Sequence, residues 1–165
     1  MTAHAPTGKS PRAFFAPDAL LATWFGAGLS PRAPGTMGSL AALPFAWLIA
    51  TYLGSLGLAV GVALVFIAGV WASGRYAKAR GIADPGAVVI DEVAGQWLTL
   101  ILVPPSLTGY AIGFALFRAF DIIKPWPISV LDRKIKGGLG VMLDDLAAGV
   151  LASLLTWNIW IWIGR

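Results

Sequence analysis

The sequence predicts an all-α protein, an integral membrane helical bundle of about five membrane helices preceded by a short N-terminal interfacial or re-entrant helix. Three observations carry this expectation. The 165 residues are 58% hydrophobic and only 12% charged, with a mean hydropathy of +0.77. Soluble domains carry about 45–50% apolar and about 25% charged residues. Five apolar segments, at about 39–53, 56–72, 88–104, 107–123 and 143–163, lie near the lower length limit for crossing a bilayer. The basic residues gather in three regions that five crossings would place on one side.

Composition also limits the chemistry. The chain has no cysteine, which excludes disulfides, thiolate nucleophiles and cysteine-held metals. Its one histidine, His4, lies in a polar tail, which argues against histidine phosphoryl transfer and His-ligated zinc. The net charge of +4 suits anionic headgroups or phosphate substrates, and positive-inside bias accounts for it equally well. No nucleic-acid partner is expected, and the sequence specifies no oligomeric state.

Residues 1–13 read as a flexible tail and 14–165 as one membrane-embedded domain. No secretory signal fits the start of the chain. Within Phe14 to Phe25, Asp18 can cap a short helix from Ala19 to Phe25, too short to span. The stretch GAGLSPRAPGTMGSL, residues 26–40, is rich in glycine and opens into an apolar helix at Ser39. Gly35 and Gly38 would let the backbone approach a ligand closely, and Thr36 and Ser39 offer hydroxyls at the helix start. The segment reads as a phosphate cradle or as a plain connection, and it lacks the GxxxxGK[ST] pattern.

In the first apolar segment Pro44 is tolerated in a membrane setting and can kink the helix. Gly54-Ser55 can make a tight turn into the second segment, where Gly57 and Gly61 form a close-packing GxxxG. Arg75, Lys78 and Arg80 follow it, and Pro104-Pro105-Ser106 breaks the chain between the third and fourth segments. Lys9, Arg12 and Arg32 come before the first segment, and Lys124, Arg133, Lys134 and Lys136 after the fourth. The basic side is expected to be cytoplasmic, with Trp157, Trp160 and Trp162 as an aromatic belt at the far interface.

The same topology gathers acids at the basic side. Asp91 and Glu92 begin the third helix, Asp121 ends the fourth, and Asp144 and Asp145 begin the fifth. Acids at helix N-termini gain from the macrodipole, which offers a purely structural reading of the two pairs. It does not account for Asp121 at a C-terminus or for the repulsion within each pair. A divalent cation relieves that repulsion, and an all-oxygen donor set suits Mg²⁺ or Mn²⁺. Arg118, one turn before Asp121, reads as its ion-pair partner or as a phosphate contact. Lys124 reads as a phosphate contact or as a snorkelling side chain, aimed by the turn Pro125-Trp126-Pro127. Gln96 lies one turn after Glu92 and is placed to orient it, while Asp132 and Arg133 read as a solvated pair. The run Gly137-Gly138-Leu139-Gly140 reads as loop.

The motifs SPRAPGTMGSLAALPF, VVIDEVAGQWLTL, FRAFDIIKPWPI and GGLGVMLDDLAAGV, in this order between about Leu20 and Leu155, resemble the bacterial phosphatidylglycerophosphatase A family. The resemblance implies a membrane-bound, Mg²⁺-dependent lipid phosphatase of phospholipid biosynthesis. It would hydrolyse phosphatidylglycerophosphate to phosphatidylglycerol and phosphate at the cytoplasmic leaflet of a bacterial inner membrane, as a multi-pass protein among membrane lipids. The family also includes soluble all-helical relatives. Its motif acids fall on Asp91, Glu92, Asp121, Asp144 and Asp145, and its loop on Gly35, Thr36 and Gly38. Residues and resemblance together assign Asp91, Glu92, Asp144 and Asp145 to the metal, Asp121, Asp91 and Asp145 to catalysis, and Thr36, Ser39, Gly35, Gly38, Arg118 and Lys124 to the substrate. A water nucleophile is favoured, with an aspartyl-phosphate still open. The other readings are an enzyme like the CDP-alcohol phosphotransferases, whose DGxxAR motif is absent, and a small membrane transporter, which would need polar groups at mid-membrane.

Overall fold

A computed structural model describes residues 16–163, apart from the side chains of Asp132 and Arg133. The expected tail and the expected Asp132–Arg133 pair lie outside what is described. All regular structure among the described residues is helical: α1 (Pro17–Ala22), a 3₁₀ turn (Ala27–Leu29), α2 (Pro34–Arg80), α3 (Ile90–Leu100), α4 (Leu107–Ile123), α5 (Ile128–Lys134) and α6 (Gly137–Ile163).

α2 is two helical arms joined at Gly54, whose φ of 68° and ψ of −169° no helix contains. Glycine adopts this backbone without steric cost. The reversal shows in the packing. A Cβ on Gly61 would lie 3.8 Å from Ile49 Cδ1. Residues twelve apart in one straight helix would be about 18 Å apart along its axis. The expected turn at Gly54-Ser55 is therefore present, and the two arms form an antiparallel hairpin. Gly61 also takes the ring of Trp97, with Cζ3 3.1 Å from the same Cβ position, so this half of the GxxxG serves packing.

α3 is the central helix. Eight of its eleven residues are buried: Ile90, Val93, Ala94, Gly95, Gln96, Trp97, Thr99 and Leu100. It packs chiefly on α6 and α2, and the indole N–H of Trp97 donates to the carbonyl of Ala42 at 3.0 Å. At the α3–α6 crossing a Cβ on Gly149 would lie 2.6 Å from the Gly95 oxygen, so only glycine permits this approach. Thr99 Oγ1 donates to the Gly95 carbonyl at 2.9 Å and reaches the Gly149 carbonyl at 3.4 Å.

Several boundaries differ from the expectation. Among the described residues, α2 and α6 are the two helices long and apolar enough to cross a membrane. α3 extends only about 16 Å at 1.5 Å per residue, roughly half a hydrocarbon core, so it is shorter than the expected 88–104 segment. α1 begins at Pro17, so Asp18 lies in its first turn and pairs with Arg75 at 3.6 Å instead of capping it. The expected loop after α4 contains α5. The glycine run Gly137–Gly140 is the first turn of α6, because Gly138 packs directly on the backbone of Val70 and Gly74. Asp144 and Asp145 consequently lie two turns inside α6, where the macrodipole explanation no longer applies.

Candidate active site

The N-terminus of α2, the segment after its C-terminus, the start of α3, the end of α4 and the start of α6 meet at one end of the bundle. They enclose a cavity of about 480 Å³. Six of the chain's eight acids line it: Asp84, Asp91, Glu92, Asp121, Asp144 and Asp145. Three cations face them, Arg118, Lys124 and Lys136. With acids outnumbering cations two to one, the cavity favours a bound cation.

The carboxylates converge because of the glycine crossing beneath them. Asp91 and Glu92 stand on the first turn of α3, and Asp145 on the facing turn of α6. One carboxylate oxygen from each lies within 4.8 Å of the others. Asp91 Oδ1, Glu92 Oε2 and Asp145 Oδ2 are buried, with no hydrogen-bond partner among the described residues. A buried, unpartnered carboxylate oxygen is costly, and three aimed together need a shared counter-charge. A hard divalent cation fits this donor set in charge, donor type and number. Asp144 is buried beside them and pairs with Lys124.

Arg118 sits beside this cluster and links it to α2 and α4. Its Nη1 lies 2.5 Å from Asp121 Oδ2 and 3.8 Å from Glu92 Oε1. The same nitrogen donates to Ser39 Oγ at 3.5 Å, and that hydroxyl donates to the Gly35 carbonyl at 2.9 Å. Gly35 leaves no room for a side chain. A Cβ there would overlap Glu92 Oε1 and lie 3.2 Å from Arg118 Nη1. The first turn of α2 thus holds the carboxylate and the guanidinium by direct contact.

Gly35, Arg118 and Lys124 of the expected substrate group line the cavity, together with all five motif acids. Ser39 is fully buried and touches the site through Arg118. Gly38 packs against Val89, and a Cβ there would lie 2.6 Å from its Cβ, so its role is helix docking. Thr36 is half-buried and is not part of the cavity wall. The expected Arg118–Asp121 ion pair is present, and the same side chain lines the cavity. Gln96 makes no hydrogen bond to Glu92; neither amide atom has a partner among the described residues. Sequence reasoning missed Asp84 and Lys136 as cavity residues. Both stand in connections, where no helical spacing flags a direction.

A family model described as phosphatidylglycerophosphatase A matches residues 20–160. A phosphatidylglycerophosphatase A of Escherichia coli is 44% identical over 151 residues, covering 91% of this chain and 87% of the relative. One from Haemophilus influenzae is 37% identical over 148 residues, covering 89% and 91%. A relative from Bacteroides thetaiotaomicron, provisionally named a phosphatidylinositol-3-phosphatase, is 41% identical over 149 residues, covering 82% and 89%. No solved structure matches the chain.

Proposed function

Since the chain belongs to the phosphatidylglycerophosphatase A family, we propose that it removes the terminal phosphate of phosphatidylglycerophosphate with the help of Mg²⁺, at the inner-leaflet surface of a bacterial cytoplasmic membrane. The observation that carries this reading is the convergence of Asp91, Glu92 and Asp145 in one cavity, with the Arg118 guanidinium beside Glu92. The three acids, with Asp144 nearby, would hold the ion, which when bound polarises a phosphoryl oxygen and lowers the pKa of water.

The chain's own groups do the rest. Arg118, fixed by Ser39, Asp121 and Glu92, presents its guanidinium to the phosphoryl oxygens and compensates charge that builds on them. Lys124, just past the end of α4, adds a second cation lining the cavity. Asp121 would accept a proton from the attacking water, whose oxygen forms the new bond to phosphorus. The bond from phosphorus to the lipid's glycerol oxygen breaks, that oxygen takes a proton, and phosphate and phosphatidylglycerol leave.

Membrane embedding is supported by the surface. Tyr52, Leu53, Leu56, Leu64, Ile67 and Leu107 are all more than 60% exposed, an apolar surface unlike that of a soluble monomer. The first arm of α2, residues 34–53, extends about 30 Å, the thickness of the hydrocarbon core. The short α3 fits a bilayer because α2 and α6 enclose it, and irregular backbone is tolerated at depth when protein surrounds it. Arg32, Arg75, Lys78, Arg80, Lys134 and Lys136 lie in or beside the segments that meet at the cavity end, which supports a cytoplasmic opening.

The test is phosphate release by detergent-solubilised protein given phosphatidylglycerophosphate and Mg²⁺. Release that stops with chelator and in D91N and D145N supports the reading. Absence of release by the wild-type protein overturns it, and the phosphatidylinositol-3-phosphate analogue in the same assay decides the headgroup.

A further inference from the structure

A second hollow of about 500 Å³ lies between the first arm of α2 and α4. Its walls are apolar: Leu40, Leu43 and Trp47 from α2, and Leu107, Ala111 and Phe114 from α4. The rings of Trp47 and Tyr110 meet at 5.1 Å with a 67° tilt and bridge the two helices. The hollow is open to the side of the bundle, since Leu40 is 41% and Leu107 84% exposed.

Its position relates it to the catalytic cavity. On α4, residues 107, 111, 114, 118 and 121 fall three or four apart, which places them on one face. That face therefore begins with Asp121 and Arg118 in the cavity and continues as Phe114, Ala111 and Leu107 in the groove. On α2, residues 36, 40, 43 and 47 share a face in the same way, so Thr36 stands where cavity gives way to groove. From Arg118 to Leu107 the helix rises about 16 Å. One leaflet of a hydrocarbon core roughly 30 Å thick has nearly that depth.

We infer that this groove seats one acyl chain of the lipid substrate while its phosphate occupies the cavity. The inference rests on the lipid-phosphatase reading of the cavity. A chain seated there gains little affinity, because surrounding lipid is as apolar as the groove. The groove instead fixes the direction in which the headgroup enters, and so acts on orientation. Binding energy from the remote part of the substrate then appears in turnover.

Ala111 is exposed, so a larger side chain there fills the groove from its open side without disturbing the core. Leu64, exposed on the second arm of α2 and outside both the groove and the cavity, is the control. A111W should lower kcat/KM for the diacyl lipid phosphate by roughly tenfold or more, as loss of a positioning contact does. It should leave hydrolysis of the deacylated, water-soluble headgroup phosphate unchanged, and L64W should change neither. An equal loss on both substrates, or no loss on either, would overturn the inference.

A lipid phosphate carrying a photoreactive group at mid-chain supplies a readout apart from turnover. Labelling of residues 40–47 and 107–114, competed by unlabelled lipid phosphate and not by a neutral diacyl lipid, supports the acyl seat. Uncompeted labelling would assign the groove to bulk lipid. Disulfide-linked dimers formed by A111C, in a chain with no native cysteine, would assign it to a second copy. Either result sinks the proposal. A wild-type protein inactive on both substrates would remove the phosphatase reading, and competed labelling would then decide the groove alone.

Discussion

Gly35 lies against Glu92 so closely that a single added methyl group would overlap the carboxylate. The contact joins the start of α2 to the start of α3, with Arg118 Nη1 packed against the same point.

G35A is therefore expected to fold and insert but to displace Glu92 and Arg118. A shift on the order of 1 Å at such a site costs about 100-fold in turnover. Measured kcat for G35A, beside an unchanged yield of folded protein, checks this; near-normal turnover would mean the contact can relax freely.

Metal binding should be visible without any substrate. The three unpartnered oxygens of Asp91, Glu92 and Asp145 destabilise the ion-free protein, and a bound divalent cation relieves that cost. At about 100 times its Kd the ion should add about 2.7 kcal/mol of stability. A rise in Tm with Mg²⁺ is expected for the wild type and should shrink sharply in D145N. An equal rise in both would place the ion elsewhere.

Replacing Arg118 by Lys keeps the charge and loses the planar guanidinium, whose Nη1 contacts Asp121, Glu92 and Ser39 while its other nitrogens stay free to turn to a ligand. R118K should lose roughly 100-fold or more in kcat, the scale of removing a preorganised donor to developing charge. S39A removes the weak 3.5 Å contact to Arg118 and the hydroxyl's own bond to the Gly35 carbonyl within α2, and should cost severalfold at most. Steady-state kinetics of the two variants give the comparison, and equal losses would contradict the linking role of Arg118.

The crossing of α3 and α6 should be intolerant of bulk. G149A places a methyl group 2.6 Å from the Gly95 oxygen, and overpacking of this kind typically costs about 1–3 kcal/mol. Because the crossing sets the spacing of Asp91 and Asp145, the Mg²⁺ concentration needed for half-maximal activity should also rise. A loss of stability with unchanged Mg²⁺ dependence would separate the crossing from the site.

Much of this was legible in the residues. Hydropathy alone locates the α2 hairpin, α4 and most of α6, and Gly54 marks the reversal because it is a glycine followed by serine between two apolar runs. The convergence of Asp91, Glu92, Asp121, Asp144 and Asp145 was expected from a count of five crossings, and the cavity brings all five together although α3 is too short to be one of them. What failed depended on contacts between distant residues. The run Gly137–Gly140 reads as loop by propensity, yet packing of Gly138 on Val70 and Gly74 draws it into α6. The length of α3 was hidden because burial on nearly all sides makes a short central helix look as apolar as a spanning one. Asp84 and Lys136 stand in irregular backbone, where periodicity carries no directional information. The groove was invisible because its two walls are separated by some sixty residues of chain.

The hairpin of α2 carries a consequence for how the protein is made. Between Arg32 and Arg75 the chain contains no ionisable acid, lysine or arginine, and the bend at Gly54 has open space around it. Carrying an ionised side chain past the middle of a bilayer costs about 2.5–3.5 kcal/mol on insertion scales. On the proposed membrane setting this pair of arms would incur none of that cost and would enter the lipid as one preformed unit during synthesis, with both cationic flanks left behind on one side.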